Sequence, residues 1–293
     1  MTSSPSIAVV VPVHNGSAVL GACLDSVVPQ AVDSGAEVVV VDDGSDDGTF
    51  ELAAARGARV LRTDMSRGPY AARNTGWHST PAPIVVFTDA RCRARPGWLK
   101  AIVAPLGDDE AAVAGADVVM GPGRTLAERW AARDQRLRIA QHMAHEFLPF
   151  VPTASLGVRR RTLEKLGGFR EVRSGGDVDL CWRVQLQGLG PVVAAPGAVM
   201  DYEPRSSVRA VLRQWRRYGE AHAHLWTEFA PYGCPVPQPD GRWRAVRHGT
   251  RWAARALVRR RDPVEFVDSV RYAVYQLAYA SGLTAARRGA PWE

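Results

Sequence analysis

The chain has almost no lysine. Lys100 and Lys165 are the only two among 37 cationic residues, so the net charge of +7 is carried by arginine. A guanidinium fork matches two oxygens at once and suits phosphate, although codon usage accounts equally well for the total. Cysteine is scarce too. Cys23, Cys92, Cys181 and Cys234 are far apart and form no CxxC pair. That spacing argues against a disulfide framework and a zinc site, and reduced thiols are expected. No stretch approaches the ~18 uncharged apolar residues that span a bilayer. The first residues lack the basic-then-apolar pattern of a secretory signal, so a cytoplasmic protein is expected. Internal repeats, low-complexity linkers and nucleic-acid motifs are also missing, and no nucleic-acid partner is expected. What remains is 293 residues with an ordinary apolar fraction of 46%, enough for a real core.

The apolar residues are arranged as buried strands. Ile7–Val13 is a continuous β-branched run, and 37–41, 60–61 and 84–87 follow with helical periodicity between them. Ser17 is the expected cap of the first helix, and Asp46 or Asp47 that of the second. Further on, 117–120 reads as a strand. Thr125 and Glu128 form a capping box for a long helix to about 145. A strand at 154–158, a short helix at 162–166 closed by Gly167-Gly168, a helix at 177–187 and a strand at 192–195 come next. Arg-rich helices at 207–228, 243–260 and 263–281 end the chain. The alternation predicts an α/β fold with a Rossmann-like, mostly parallel sheet flanked by helices. The expected division is a main domain at 1–220 and a helical extension at 221–293.

In an open α/β sheet, functional groups collect at the carboxyl ends of the strands. Three such ends are polar here: Pro12-Val13-His14-Asn15-Gly16, Asp42-Asp43 and Asp89. One aspartate at such a position is usually a helix cap; three polar ends on one crevice point to a site.

These stretches resemble family 2 of the glycosyltransferases. The matching segments are VVVPVHNG at 9–16, VVVVDDGSDDGT at 38–49, RGPYAARNTG at 67–76, FTDARCRARPGWL at 87–99, ASLGVRRRTLEKLGGF at 154–169, GGDVDLCWR at 175–183 and RSSVRAVLRQWRRYG at 205–219. The resemblance implies a GT-A fold and transfer of a sugar, with inversion, from a nucleoside-diphosphate sugar, most commonly a UDP-sugar, to an acceptor hydroxyl. It implies that Pro12, Val13, His14, Asn15, Asp42 and Asp43 hold the nucleoside, and that Arg73 reaches phosphate or ribose. It makes Asp177 the general base, with glycine where the first acid of the motif often sits. Asp179 and Ser155 then fall on the acceptor side.

Two positions depart from the family pattern. The DxD motif, whose acids hold Mn or Mg against the diphosphate, reads Asp89-Ala90-Arg91. Tyr202, followed by Glu203, stands where a metal-binding histidine is usual. Charge on a departing diphosphate must be neutralised. Either Asp89 holds a divalent cation with fewer ligands, or Arg91 supplies the charge itself. An alternative reading is a protein that keeps the fold and nucleotide-sugar binding but has lost catalysis. A nucleotidyltransferase would want a Gly-rich basic loop after the first strand, and VPVHNGS lacks it.

The extension carries its own signal. Residues 242–261 contain eight arginines and no acid, with Arg251, Arg255 and Arg259 on one helical face near Trp243 and Trp252. Such a helix suits an anionic membrane surface, and so a peripheral location on the inner face of the membrane. Residues 263–281 carry an apolar face (Phe266, Val270, Val274, Leu277) and a tyrosine stripe (Tyr272, Tyr275, Tyr279). Packing on the catalytic domain and dimerisation are the competing uses of these helices.

Overall fold

In the computed structural model, residues 6–107, 111–239 and 263–292 are described. The chain divides into two compact units. The first comprises Met1–Val119, Leu137–Val172 and Gly176–Glu203; the second comprises Met120–Arg136, Arg173–Gly175 and Pro204–Glu293. The boundary expected at 220 falls inside a continuous helix, Val208–Phe229.

The sheet has the order β3-β2-β1-β4-β7-β6-β8-β5. Its strands are β1 (Ile7–Val13), β2 (Glu37–Asp42), β3 (Arg59–Arg62), β4 (Ile84–Thr88), β5 (Cys92–Ala94), β6 (Val113–Met120), β7 (Ser155–Arg159) and β8 (Val192–Tyr202). β3, β2, β1 and β4 are mutually parallel, with Val10 opposite Val39 and Phe87. β7 then runs antiparallel to both β4 and β6, and β5 antiparallel to β8. The sheet is therefore mixed, and the expected mostly parallel arrangement holds for one half. β5 begins four residues after β4 ends, too soon for the crossover that a parallel partner requires. The apolar runs in β1, β2 and β4 are buried almost throughout because helices cover both faces.

The helices of the first unit are α1 (Ser17–Asp33), α2 (Thr49–Ala55), α3 (Pro69–His78), α4 (Trp98–Gly107), α6 (Ile139–Met143), α7 (Arg160–Leu166) and α8 (Gly176–Leu186). Those of the second are α5 (Leu126–Asp134), α9 (Val208–Phe229) and α10 (Pro263–Arg287). α3 lies very close to β1: a Cβ added at Gly76 would stand 2.3 Å from Val10 Cγ1.

Several local expectations change. Ser17 is the first helical residue rather than the cap, and its hydroxyl donates to Asp47 at 2.9 Å. α2 is preceded by Gly48 in a left-handed conformation, with Asp47 accepting from the Thr49 amide. The Thr125–Glu128 capping box forms, but the helix it opens ends at Asp134. Gln135 takes φ 46°, and its side-chain amide donates to the Met120 and Ala132 carbonyls, which turns the chain before α6.

In the second unit α9 and α10 pack closely. A Cβ at Gly219 would lie 2.5 Å from the Tyr275 carbonyl oxygen. Tyr279, Leu283 and Ala223 form the buried seam. The tyrosine side of α10 thus makes the contact, while Phe266 and Leu277 of the expected apolar face stay exposed. Arg136 and Arg271 lie over the Trp215 ring at 3.8 and 4.0 Å. No helix among the described residues is long and apolar enough to cross a membrane. The expected helix at 243–260, with Arg251, Arg255 and Arg259, lies outside the described residues.

All four cysteines are buried and unpaired with one another. Burial, reinforced by the nearby Asp89 charge, raises the Cys23 thiol from its ordinary 9.0 to about 12. The folded state therefore holds this proton more tightly than the unfolded chain. That contribution is complete below about pH 9 and is lost as pH rises toward 12. Urea melts at pH 8.5 and 10.5 should show stability falling with pH, and Cys23→Ala should flatten that slope.

Candidate active site

The carboxyl ends of β1, β2 and β4 meet as expected, but their acids have different tasks. After β1, Asn15 adopts φ 49°, a conformation asparagine tolerates better than most residues. Its amide donates to Ser45 Oγ at 2.9 Å, and its side-chain oxygen accepts from the Asp46 amide at 3.0 Å. His14 Nδ1 lies 2.8 Å from the Asp43 carbonyl oxygen, which leaves Nε2 on the exposed side of the ring. Pro12 and Val13 are buried in β1, and the Val13 carbonyl accepts from the Asp43 amide. These two can offer a ligand little beyond backbone. Asp42 is fully buried; it accepts from the Ser45 amide at 3.0 Å and faces Arg62 Nε at 3.6 Å. With no exposed surface, the Asp42 carboxylate shapes the loop after β2 and does not face the nucleoside as expected, while the neighbouring Asp43 keeps 3% exposure.

Asp43 anchors the start of α3. Its carboxylate accepts from the Gly68 amide at 2.9 Å, the Arg67 amide at 3.0 Å and the Ser66 hydroxyl at 2.8 Å. The Thr63 hydroxyl lies 3.3 Å from Oδ1, but its single proton is shared with two carbonyls. A carboxylate has about four acceptor positions, and three here are firmly filled.

Three side chains of α3 then reach the rest of the site. Arg73, nearly buried, donates to Asp89 Oδ1 at 2.6 Å and lies over the Tyr70 ring at 5.0 Å. The Tyr70 hydroxyl donates to Asp177 Oδ1 at 2.9 Å. Asn74 bonds both the amide and the carbonyl of Phe169. Asp177 stands in the first turn of α8, where the helix dipole favours negative charge, and its Oδ2 accepts from the Thr153 amide at 3.1 Å. α8 also fixes the segment that brings Thr153 in: the Val151 amide donates to Cys181 Sγ, while Trp182 and Gln185 donate to the Leu148 and Pro149 carbonyls. Tyr70 and Thr153 were not singled out from sequence. The signal for Tyr70 was present, since it stands one helical turn before Arg73 on the same face.

Two assignments to the acceptor side do not survive. Asp179 is completely buried, with Arg183 at 2.8 Å and Arg170 at 3.4 Å. Arg183 in turn donates to the Leu166 and Gly168 carbonyls, so this pair braces α8 against the end of α7. Ser155 is buried in β7, and its Oγ accepts from Trp98 Nε1 at 2.8 Å. Both side chains are buried and held by other parts of the protein.

The residues near Asp89 fit a metal poorly. Among the described residues no three His, Cys, Asp or Glu side chains gather as a metal cluster. One Asp89 oxygen is held by Arg73. Tyr202 pairs with Cys92 across β5 and β8, and the carboxylate of Glu203 is held by Arg93 at 2.7 Å. Arg91 is half-exposed and, among the described residues, meets no acid. One Asp89 carboxylate engaged by Arg73, with no second acid gathered near it among the described residues, does not make the oxygen cage that a divalent cation takes.

The family model for glycosyl transferase family 2 matches residues 8–167, more than half of the chain. This protein belongs to glycosyl transferase family 2. Within it, the chain is 33% identical over 230 residues to a pre-mycofactocin glycosyltransferase of Mycobacterium tuberculosis, covering 73% of this chain and 46% of that one. It spans less than half the length of that relative. It is 30% identical to glycosyltransferase AglE of Haloferax volcanii, covering 77% and 76% of the two chains. A mannosyltransferase of Pyrobaculum calidifontis in complex with GDP-Man and Mn2+ shares the fold, at 21% identity with a TM-score of 0.67 over 97% of this chain and 88% of that one. The fold is GT-A.

Asp43→Ala should destabilise this family 2 protein by about 2 kcal/mol or more, because each buried donor left unpaired costs about 1–3 kcal/mol. Chemical denaturation measures it. A loss under about 0.5 kcal/mol, the range of an ordinary surface substitution, would show that the start of α3 does not depend on this carboxylate.

Proposed function

We propose that the enzyme moves a sugar from a nucleoside-diphosphate sugar to an acceptor hydroxyl with inversion, and that Asp177 is the general base. The observation that carries this is the pairing of the two acids on one helix. Asp89 and Asp177 lie at the ends of different elements, and each is bonded by a side chain of α3, Arg73 or Tyr70, one turn apart. An acceptor hydroxyl is a poor nucleophile until its proton is taken during attack. A single base opposite the leaving group gives one displacement and hence inversion, the logic that also governs inverting glycosidases. The leaving diphosphate is a stable anion and needs neutralisation rather than a proton.

The nucleoside lies against the turn after β1. His14 and Asn15 are exposed there, and Asp43 receives a nucleoside N–H or hydroxyl at the position that the Thr63 hydroxyl fills most weakly. A uridine donor is the family's commonest, and the GDP-Man complex of the P. calidifontis mannosyltransferase makes guanosine the first alternative. Arg91 supplies positive charge to the diphosphate. An arginine beside a bound divalent cation would be repelled by about 4 kcal/mol per unit charge at 4 Å and an effective dielectric near 20. That repulsion vanishes if the guanidinium points at the diphosphate without a cation. Contact of the C-terminal helices with an anionic membrane belongs to the same reading, as the route to a lipid-linked acceptor.

A thermal-shift screen of UDP, dTDP and GDP and their sugars, with and without manganese, identifies the donor, because a ligand of the folded state raises its melting temperature. With that donor, Asp177→Asn should retain binding and lose transfer by roughly 10²–10⁴-fold. Near-normal turnover would remove Asp177 from the mechanism. Native enzyme should keep residual transfer after exhaustive chelation, and Arg91→Asp should make transfer depend on manganese. Complete loss in chelator, restored by manganese, would sink the role given to Arg91.

A further inference from the structure

Tyr70 occupies the space that a side chain at residue 176 would otherwise fill. A Cβ built on Gly176 would stand 2.9 Å from Tyr70 Cγ and Cδ1 and 3.0 Å from Cδ2, closer than real Cβ contacts come. Gly176 does not have a positive φ, so the glycine is needed for this close approach and not for its backbone. It is also where the family's motif often carries its first acid. The ring is buried between Gly176, Phe169 at 5.5 Å and the Arg73 guanidinium at 5.0 Å, which aims its hydroxyl at Asp177 Oδ1.

The consequence is an asymmetric carboxylate. Among the described residues, Oδ1 accepts from the Tyr70 hydroxyl at 2.9 Å and from the Val178 amide at 3.1 Å, while Oδ2 accepts only from the Thr153 amide at 3.1 Å. Each carboxylate oxygen offers about two acceptor positions, so Oδ1 is full and Oδ2 has one left. We propose that Tyr70 is the positioning residue of the acceptor base: with Gly176 beneath its ring, it occupies Asp177 Oδ1, stabilises the ionised form, and leaves Oδ2 as the oxygen that takes the acceptor proton. This rests on the reading of Asp177 as the base.

The groups around Asp177 support that division of labour. From α3 come Tyr70 and, behind its ring, the Arg73 cation. Burial pushes the Tyr70 phenol well above its ordinary range, and the neighbouring Asp177 charge adds to this, so the hydroxyl stays a donor and does not compete for the proton. From α8 itself comes the buried Cys181 thiol, also pushed up by burial. Asp179, the other acid of α8, is matched by Arg183 and Arg170. From the segment before β7 comes only the neutral Thr153 amide. Among the described residues the Tyr70 hydroxyl is thus the one side-chain donor bonded to Asp177, and it can be removed without changing a charge.

The test needs no substrate. In full-length enzyme labelled with ¹³C at aspartate carboxyl carbons, the Asp177 signal, assigned by its absence in Asp177→Asn, is titrated with pH. Tyr70→Phe keeps the ring and its contact with Arg73 and removes only the hydroxyl. Its Asp177 transition should move to higher pH by about one unit, because the ionised carboxylate loses a hydrogen-bond donor. Gly176→Ala keeps the hydroxyl but displaces the ring, and should move the transition in the same direction. Melting curves establish that each variant is folded. An unmoved transition in folded Tyr70→Phe overturns the proposal. Transfer by Asp177→Asn tests the base itself, so the two failures fall on different variants.

Discussion

The hydrogen bonds that Asp43 accepts fix where α3 begins. Two backbone amides and a hydroxyl from the segment before the helix converge on one buried carboxylate. A helix start has amides without intrahelical partners, and an acid from a neighbouring strand satisfies them while favouring the positive end of the dipole. From that origin the 3.6-residue repeat sets the directions of Tyr70, Arg73 and Asn74. A shift of the start by one residue would rotate all three by about 100° and part both acids from their partners. The contact of Gly76 with Val10 holds the other end of the same helix against β1.

α3 therefore ties together parts of the chain that are far apart in sequence. Arg73 reaches the end of β4, Asn74 the turn after α7, and Tyr70 the start of α8. Each contact satisfies a polar group at the edge of the core, where an unpaired donor or acceptor is costly. The two acids of the site are held through side chains of a helix whose own position is determined by the sheet and by a third acid.

Charge around Asp89 follows the two departures from the family pattern. Arginine stands at 91 and tyrosine at 202, where the resemblance leads one to expect an acid and a histidine, and the acid next to Tyr202 is engaged by Arg93. The remaining acid, Asp89, shares its charge with Arg73. Arginine is thus the partner of both acids, in a chain that draws almost all of its positive charge from that residue.

Much of the fold was legible because strand runs and capping patterns are local. The buried strands at 7–13 and 84–87, the capping box at Thr125 and the polar strand end at Asp89 follow from neighbouring residues alone, while the candidacy of Asp177 and Arg73 came from the resemblance of the ordered motifs to the family. The direction of β7, the short β5 and the break at Gln135 depend on partners distant in the chain, and no local pattern carries them. The same limit separated the aspartates. Asp42 and Asp43 are adjacent, chemically identical and both buried, yet the last residue of β2 accepts from Ser45 while the first residue beyond it gathers the loop before α3. Asp177 and Asp179 differ likewise: positions two apart on a helix point to different sides, so one meets Tyr70 and the other Arg183. Sequence determined which residues were available for chemistry, because residue type and spacing are written there. Tertiary structure decided which of them face the crevice, because that depends on the direction each element gives its side chains.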